Sequence, residues 1–485
     1  MTDAELVQLL RKQIATQNKQ IEFLENTVAN LNKSIEILLA EIKEQNEKLN
    51  KNSSNSSKPP SSDGPNKPKT RSLRQKSEKK PGGQKGHKGA NLEIPDHVDN
   101  IIEHYPEECK QCPNFESCKG TICHAQENRY VIDLKIEKEI SSHTIYQAEK
   151  CPLHAGILKG AFPIGVNAAV QYGTTVKTFI VSESLNGMGA DKIARTSDGF
   201  FGLKMSTGTI VNTLENFSVK LDEPLKVIKE QLINSEVNNY DETGVNVCGK
   251  NRWAHSASNL LYTFLTLSRH RGEKGIKENG VIEKQHGVAV HDCWQPYWKF
   301  ENVTHALCCV HLLRELNGII ENYPKQKWAR EFKNLLEELY RLKISYDDLG
   351  RPMESCYRDY YGHLYDNIME KAREENPLPE TVVKKRGKPK KTTPQNLIDR
   401  LDRYKEGVLL FTASTEVPFS NNIAEQSVRN TKVKLKNAGC FRSEDGAKWY
   451  LRIRSYIDSA RKHGVNTYEA IRLAFLGTPN LCLGY

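Results

Sequence analysis

Residues 236–247 read EVNNYDETGVNV. This is a strand pattern, and two more follow it closely: NRWAHSAS at 251–258 and LYTFLTLS at 261–268. Three short strands with tight connections predict a meander. A helical stretch, GEKGIKENGVIEKQ (272–285), leads to GVAVHDCW (287–294) and then THALCCVH (304–311), two further apolar runs. Strands and helices in this order predict an α/β domain. Asp241 lies inside the first strand. Successive side chains of a strand point to opposite faces, so Asp241 and Glu242 are expected to diverge, with one of them able to reach a given metal ion. Asp292 follows GVAV, at the end of a buried strand.

A third carboxylate comes from SNNIAEQSVRNTKVKLK (420–436). Asn421 or Asn422 is expected to cap this helix, which places Glu425, Arg429, Lys432 and Lys436 on one face. A single Asp on a strand is usually structural. Three carboxylates on separate elements, one beside a basic helical face, point instead to hard-cation chemistry. Oxygen ligands suit Mg²⁺ or Mn²⁺, and two such ions serve phosphoryl transfer. The basic face would hold a DNA backbone beside them.

Outward from this block, the chain has 485 residues, enough for several domains, with 38% apolar residues and a formal charge of +10. It has no apolar run of membrane-spanning length, and its first residues lack a signal peptide's basic start and apolar run. A reduced, cytoplasmic setting is expected, with the twelve cysteines as thiols or metal ligands.

Residues 7–49 carry a heptad repeat. Val7, Ile14, Ile21, Val28, Ile35, Ile42 and Leu49 occupy a; Leu10, Gln17, Leu24, Leu31, Leu38 and Gln45 occupy d. β-Branched a residues with Leu at d predict a parallel two-stranded coiled coil, hence at least a dimer. The competing reading is one long helix packed on its own protein. KNSSNSSKPPSSD (51–63) follows, without an apolar side chain. From Lys51 to Gly89 eleven Lys and Arg, Lys85 and Lys88 among them, face only Asp63 and Glu78. Such a segment predicts a disordered basic linker, available for phosphate contacts. Its stretch 51–63 is expected to act as a swivel between the rod and the DNA-binding modules.

Cysteines cluster next, in CKQCPNFESCKGTIC (109–123) and CPLH (151–154). Cys109, Cys112, Cys151 and His154 have the spacing of a tetrahedral structural Zn²⁺ site, with Cys118 and Cys123 as competing ligands. The intervening VIDLKIEKEISSHTIYQ (131–147) alternates enough for two strands of a zinc ribbon. Residues 166–220 read as helices. A short helix at Asp191–Arg195, a Gly-containing turn and a helix capped near Ser206 or Thr207 have the look of a helix-turn-helix, though helical hairpins share that pattern.

These residues carry a resemblance. KNSSNSSKPPSSD, GGQKGHKG, STGTIVN, DETG, HDCWQPY, CCVHLLREL and NNIAEQSVR followed by FRSEDGA resemble bacterial transposases of the insertion sequence 66 family, in the DDE group, over nearly the whole length. The resemblance implies a ribonuclease-H-like catalytic domain with Asp241, Asp292 and Glu425 as its acidic triad. It implies cleavage at terminal inverted repeats and transfer of 3′-hydroxyls to target DNA, with two Mg²⁺ ions held by the triad and Arg429 and Lys432 on phosphates. The long second interval implies a helical insertion. Trp328, Phe332, Leu335, Leu336, Leu339 and Leu342 recur there at helical spacing, helical patterns follow near 356–373 and 395–410, and KKRGKPKKTTPQN (384–396) reads as a basic loop. Cys308-x2-His311 resembles a signature of some DDE transposases and competes between a zinc pair and a buried strand end. Trp294 competes between stacking on an unpaired base and packing. Where the family's cysteine region commonly ends in Cys-x2-Cys, this chain has Cys151-x2-His154.

The expected fold class is a multidomain α+β protein. It comprises a parallel coiled coil (1–50), a disordered basic linker (51–98), a small zinc-ribbon-like module (99–160) and a helical, helix-turn-helix-like DNA-binding segment (161–232). A ribonuclease-H-like catalytic domain (233–475) with an all-α insertion at about 313–412 and a C-terminal tail (476–485) complete it. Expected partners are double-stranded DNA, a second copy through 7–49, and accessory proteins encoded by the same element, in the bacterial cytoplasm at the nucleoid. Two rivals remain, a non-enzymatic zinc and helix-turn-helix regulator, and a nuclease of the same fold.

Overall fold

The structure, a computed structural model, describes residues 3–56, 63, 95–119, 128–134, 136–149, 153–154, 156–163, 165–377 and 391–484. They fall into two compact units, 1–71 with 162–195 and 204–485, and 72–161 with 196–203. Among the described residues no helix is long and apolar enough to cross a membrane.

The chain opens with α1 (Asp3–Leu49), 47 residues without a break. Its seam residues Ile14, Ile21, Leu24, Val28, Leu31 and Ile35 are all more than half exposed. The stretch expected to be an unstructured swivel is structured where it is described. Asn50–Ser56 forms a turn in which Ser53 and Asn55 are buried. Side-chain amides and hydroxyls close it: the Asn52 amide N–H donates to Asn55 Oδ1 (2.8 Å) and the Ser53 N–H to Asp63 Oδ1 (2.9 Å). Lack of apolar surface predicts disorder only when the polar groups have no better partner than water. Here Asn and Ser supply those partners to one another.

The second unit holds α2 (Glu107–Lys110), α3 (Phe115–Cys118) and a two-residue antiparallel pair, β1 (Gln147–Ala148) and β2 (Leu158–Lys159). The two strands expected within 131–147 are absent among the described residues there, apart from β1 itself. Val131, Leu134 and Ile140 are exposed, so the alternation buries no face and has nothing to hold it extended in a ladder.

Four helices follow, α4 (Thr174–Leu185), α5 (Ala190–Phe201), α6 (Thr207–Val219) and α7 (Asp222–Ile233). Ile180, Ile193 and Ile210 form a small core joining α4, α5 and α6. The cap of α6 is Ser206, as expected, its hydroxyl accepting from the Thr209 N–H at 3.0 Å. The helix before it is longer than predicted. It runs through Gly199, and the chain turns at Gly202 instead, whose positive φ of 60° favours glycine.

The central sheet is β3 (Val237–Val247), β4 (Lys250–Ser258), β5 (Thr263–Ser268), β6 (Val288–His291) and β7 (Thr304–Leu307), in the order β5-β4-β3-β6-β7. The meander β3–β4–β5 is antiparallel, and β6 and β7 run parallel to β3. Cys248 and Gly249, both at positive φ, make the two-residue turn between β3 and β4. The Cys248 N–H donates to the Phe441 carbonyl (2.9 Å), which holds a non-glycine residue in that conformation. Between β5 and β6 lies α8 (Glu273–Asn279).

A run of helices follows β7: α9 (Cys309–Asn322), α10 (Trp328–Asp348), α11 (Ser355–Glu375), α12 (Thr393–Arg403) and α13 (Lys405–Leu409). Trp328, Phe332, Leu335, Leu336 and Leu339 are buried in it, and Phe332 meets Tyr365 edge-on at 4.8 Å. The basic loop predicted to reach residue 396 ends earlier. Thr392 and Gln395 form a capping box that starts α12, because a Thr-x-x-Gln pair satisfies two otherwise orphaned N–H groups. Residues 378–390 lie outside the described ones. The chain closes with α14 (Asn422–Ala438), α15 (Glu444–Lys462) and α16 (Thr467–Phe475). Leu225, Ile228 and Leu232 of α7, Ala254 and Ala257 of β4, and Leu451, Tyr456 and Ile457 of α15 share one core.

Candidate active site

β3 carries Asp241, and its register pairs Asp241 with Ser256 and Glu242 with His255 of β4. Asp292 is the first residue after β6, the parallel neighbour of β3. Glu425 sits in the first turn of α14. Burial and the charges of Glu242, Asp292 and Glu425 push the Asp241 carboxyl well above the usual range. Asp241 thus senses the charges of both other predicted carboxylates, Asp292 and Glu425. Burial also raises Asp292, against the opposing pull of His311, the Trp294 N–H and Arg271.

Asn421 brings α14 to β3. An asparagine cap was expected, and Asn421 does hold the N-cap position, but its side chain makes no cap bond. It crosses to the sheet instead. Its Nδ2 donates to the Tyr240 carbonyl (2.7 Å), its Oδ1 accepts from Asn239 Nδ2 (3.0 Å), and its backbone N–H donates to Cys308 Sγ (3.1 Å). A buried amide so fully used is costly to leave unpaired, which is why the side chain crosses to the sheet and makes no cap bond.

Cys308 caps α9, and His311 lies one turn on. Among the described residues, Cys308, His311 and Glu425 form the group whose donor atoms all lie within 4.8 Å of one another. Asp241 and Asp292 are not in that group. His311 Nδ1 stands 3.8 Å from Glu425 Oε1 and has no hydrogen-bond partner, although it is buried. Burial alone would lower the His311 imidazole, but the Cys308 sulfur and the Glu425 carboxylate raise it to about 9. A cavity of about 160 Å³ opens beside Asp292, bounded by Trp294, His311 and the Glu315–Arg400 ion pair.

Glu242 is a site residue that strand alternation set aside. Its carboxylate accepts from Tyr297 Oη (2.9 Å) and pairs with Arg271 (3.0 Å). Burial and the Asp292 charge push it up to about 7. Arg271 in turn lies over the Trp294 ring (4.3 Å) and the Trp253 ring (4.9 Å). Its adjacency to Asp241 in DETG was the available signal. Arg271 gave none, since its partners come from three other elements.

The basic face of α14 is divided. Arg429 is exposed and sits 3.6 Å from Glu425, and Lys436 is exposed. The Lys432 ammonium donates to the Gly244 carbonyl of β3 (2.6 Å), so it braces the helix against the strand. Lys434 anchors the other flank on the Ser184 and Met188 carbonyls, and burial lowers it to about 8. Trp294 packs at the site, its backbone N–H donating to Asp292 Oδ1 (3.2 Å) and one ring face taken by Arg271. Of the expected zinc ligands, Cys109 lies in α2, Cys112 follows it and His154 is exposed. Cys151, like Lys85 and Lys88, lies outside the described residues.

Residues 172–449, more than half of the chain, match the Transposase IS66 family. The chain belongs to that family. Residues 5–93 of the transposase match a family of unknown function (DUF6444). No curated protein matches it. The family match spans α4 to the first turns of α15, and so contains β3, β6, α9 and α14, the elements that build the carboxylate site.

Proposed function

We propose that this transposase binds the terminal inverted repeats of its element, hydrolyses a phosphodiester at each end, and transfers the freed 3′-hydroxyls to target DNA. Asp241, Asp292 and Glu425 are its catalytic carboxylates. The observation that carries this reading is the convergence of Asp241 of β3, Asp292 just after β6 and Glu425 of α14, the latter two raising the proton affinity of Asp241. The strand order, three antiparallel strands followed by two parallel to the first, supports a ribonuclease-H-like reading of the domain.

Carboxyls raised by burial, Asp241 also by its charged neighbours, fit a hard divalent cation, whose charge would relieve both burial and repulsion. Asp241 and Asp292, with Glu425, would hold two Mg²⁺ or Mn²⁺ ions. Bound there, such ions supply Lewis-acid stabilisation for the attacking and leaving oxygens. The protein's own groups do the positioning. Asn421 fixes the Glu425 helix to the Asp241 strand. Arg271, held by Glu242 and flanked by Trp253 and Trp294, offers positive charge at the rim, and Arg429 and Lys436 offer it along α14 for phosphates. In hydrolysis, water attacks the scissile phosphorus and the 3′-oxygen leaves with a proton. In transfer, that 3′-hydroxyl attacks a target phosphorus and displaces the target's own 3′-oxygen.

The α4–α6 cluster, with Lys85 and Lys88 of the basic segment, is assigned to DNA binding. Cys109, Cys112, Cys151 and His154 are assigned to a structural Zn²⁺, α1 to pairing with a second copy, and accessory proteins of the element are further candidate partners. The test is cleavage of end-containing DNA with Mg²⁺. Asp241→Asn and Glu425→Gln are each expected to keep end binding and lose roughly a thousandfold or more in cleavage. Undiminished cleavage by either variant removes that residue from the site.

A further inference from the structure

The last turns of α1 and the polar turn after it are attached to the helix that begins at the active site. Two contacts hold the rod. Lys43 Nζ lies 3.9 Å from the centre of the Tyr323 ring, and Glu47 Oε2 accepts from Thr393 Oγ1 at 3.0 Å. Counted from the a positions, Lys43 is a b residue and Glu47 an f residue, both on the outer face of a coiled coil. The rod thus meets its own body with the side opposite the seam, and Ile35, Leu38 and Ile42 of the seam stay more than half exposed.

The turn completes the attachment. Asn55 Nδ2 donates to Glu321 Oε2 (2.7 Å) and to the Asn50 carbonyl (3.0 Å), and Asn317 Nδ2 donates to the Ser54 carbonyl (3.3 Å). Asn317 and Glu321 are one turn apart on α9, and between them lies Gly318. A Cβ at Gly318 would come within 2.5 Å of the Asn55 carbonyl oxygen. Glycine inside a helix is unfavourable relative to alanine, and here it admits the approach of another backbone. The same helix starts at Cys308 and carries His311 and Glu315.

We propose that Asn50–Ser56, closed by Asp63, is a clasp that fixes the rod to α9, the rod's outer face turned to Tyr323 and to Thr393 of α12, and so presents the rod's seam, in a set direction, to a second copy of this chain. The second copy rests on the dimer reading above; the clasp rests on its own contacts. Hydrogen exchange on the full chain tests it without DNA. The amides of Asn52, Ser53 and Ser54 donate to side chains of the clasp. They are expected to exchange at least about tenfold more slowly than in a free chain.

Gly318→Leu and Asn55→Ala are each expected to return these amides to free-chain rates while β3 and α14 keep their protection. Asn55→Ala leaves the packing of α9 untouched and serves if Gly318→Leu disturbs the insertion. Free-chain exchange in the wild type, or protection equal in wild type and both variants, overturns the clasp. Sedimentation of Leu24→Lys/Leu31→Lys is expected to give a monomer whose clasp stays protected. A dimer that survives these lysines overturns the second copy as occupant.

Discussion

Asn421 occupies a position where sequence reasoning expects a helix cap, and it works instead as a cross-brace between the Asp241 strand and the Glu425 helix. The carboxyls beside that brace are expected to set the pH behaviour of the metal-free transposase. Glu242 rises from an ordinary 4.5 to about 7 in the folded chain, and Asp241 and Asp292 rise too. A carboxyl with a raised folded pKa stabilises the fold fully only below its unfolded value, and that stability is lost as pH climbs through the folded one. Between about pH 5 and pH 8, the thermal midpoint of metal-free protein is therefore expected to fall. Mg²⁺ should restore it at pH 8 and do little at pH 5, where protons already neutralise the site. Asp241→Asn should raise the metal-free midpoint at pH 8 and blunt the Mg²⁺ response. A midpoint flat across this range, or an equal Mg²⁺ response in the variant, would contradict the carboxylate cluster as a cation site.

The sheet shows how elements protect one another. β5 is an edge strand, and its outward N–H groups at Thr263 and Leu265 donate to Ser459 Oγ (3.0 Å) and Ser455 Oγ (2.8 Å) of α15. Alternate residues of a strand match one turn of a helix closely enough for two serines to cover the edge. Ser455→Ala leaves a buried N–H without a partner and is expected to cost about 1–3 kcal/mol, measured by denaturant unfolding of the full chain. A loss below about 0.5 kcal/mol would show that the edge is satisfied otherwise. Such pairings explain what could be read in advance. The five strands and the helices after β7 were legible because apolar runs and helical spacing are local signals, and DETG and NNIAEQ marked the elements that carry Asp241 and Glu425. The clasp was not legible, because the partners that hold it are distant in sequence: Asp63 for Ser53 and Glu321 of α9 for Asn55. Residues 131–147 misled in the opposite sense, since alternation predicts a strand only where a layer exists to cover its apolar face. Glu242 was set aside by a correct rule: alternation turns it away from Asp241, yet Arg271 and Tyr297 hold it where it still senses the Asp292 charge.

For the molecule as a whole, the join between rod and body decides how two active sites are held. A swivel at 51–63 would let each body search independently. A clasp makes rod and body one piece, so the geometry of a paired coiled coil passes to α9 and from there to His311 and Glu425. The rod's 47 residues span roughly 70 Å at ~1.5 Å per residue. Over that length, a small change in angle at the clasp moves the far end by many ångströms. The two arrangements make opposite predictions for Asn55→Ala. Under the swivel, the substitution leaves joining of paired ends unchanged, because the segment was never ordered. Under the clasp, single-end cleavage stays within about threefold of wild type and the dimer persists, while concerted joining of two ends falls by roughly tenfold or more, since two ends must now be aligned across a loosened joint. Gel resolution of single-end and paired-end products from one reaction separates these outcomes, and equal loss of both products would place Asn55 in folding of the body and deny it a part in its alignment.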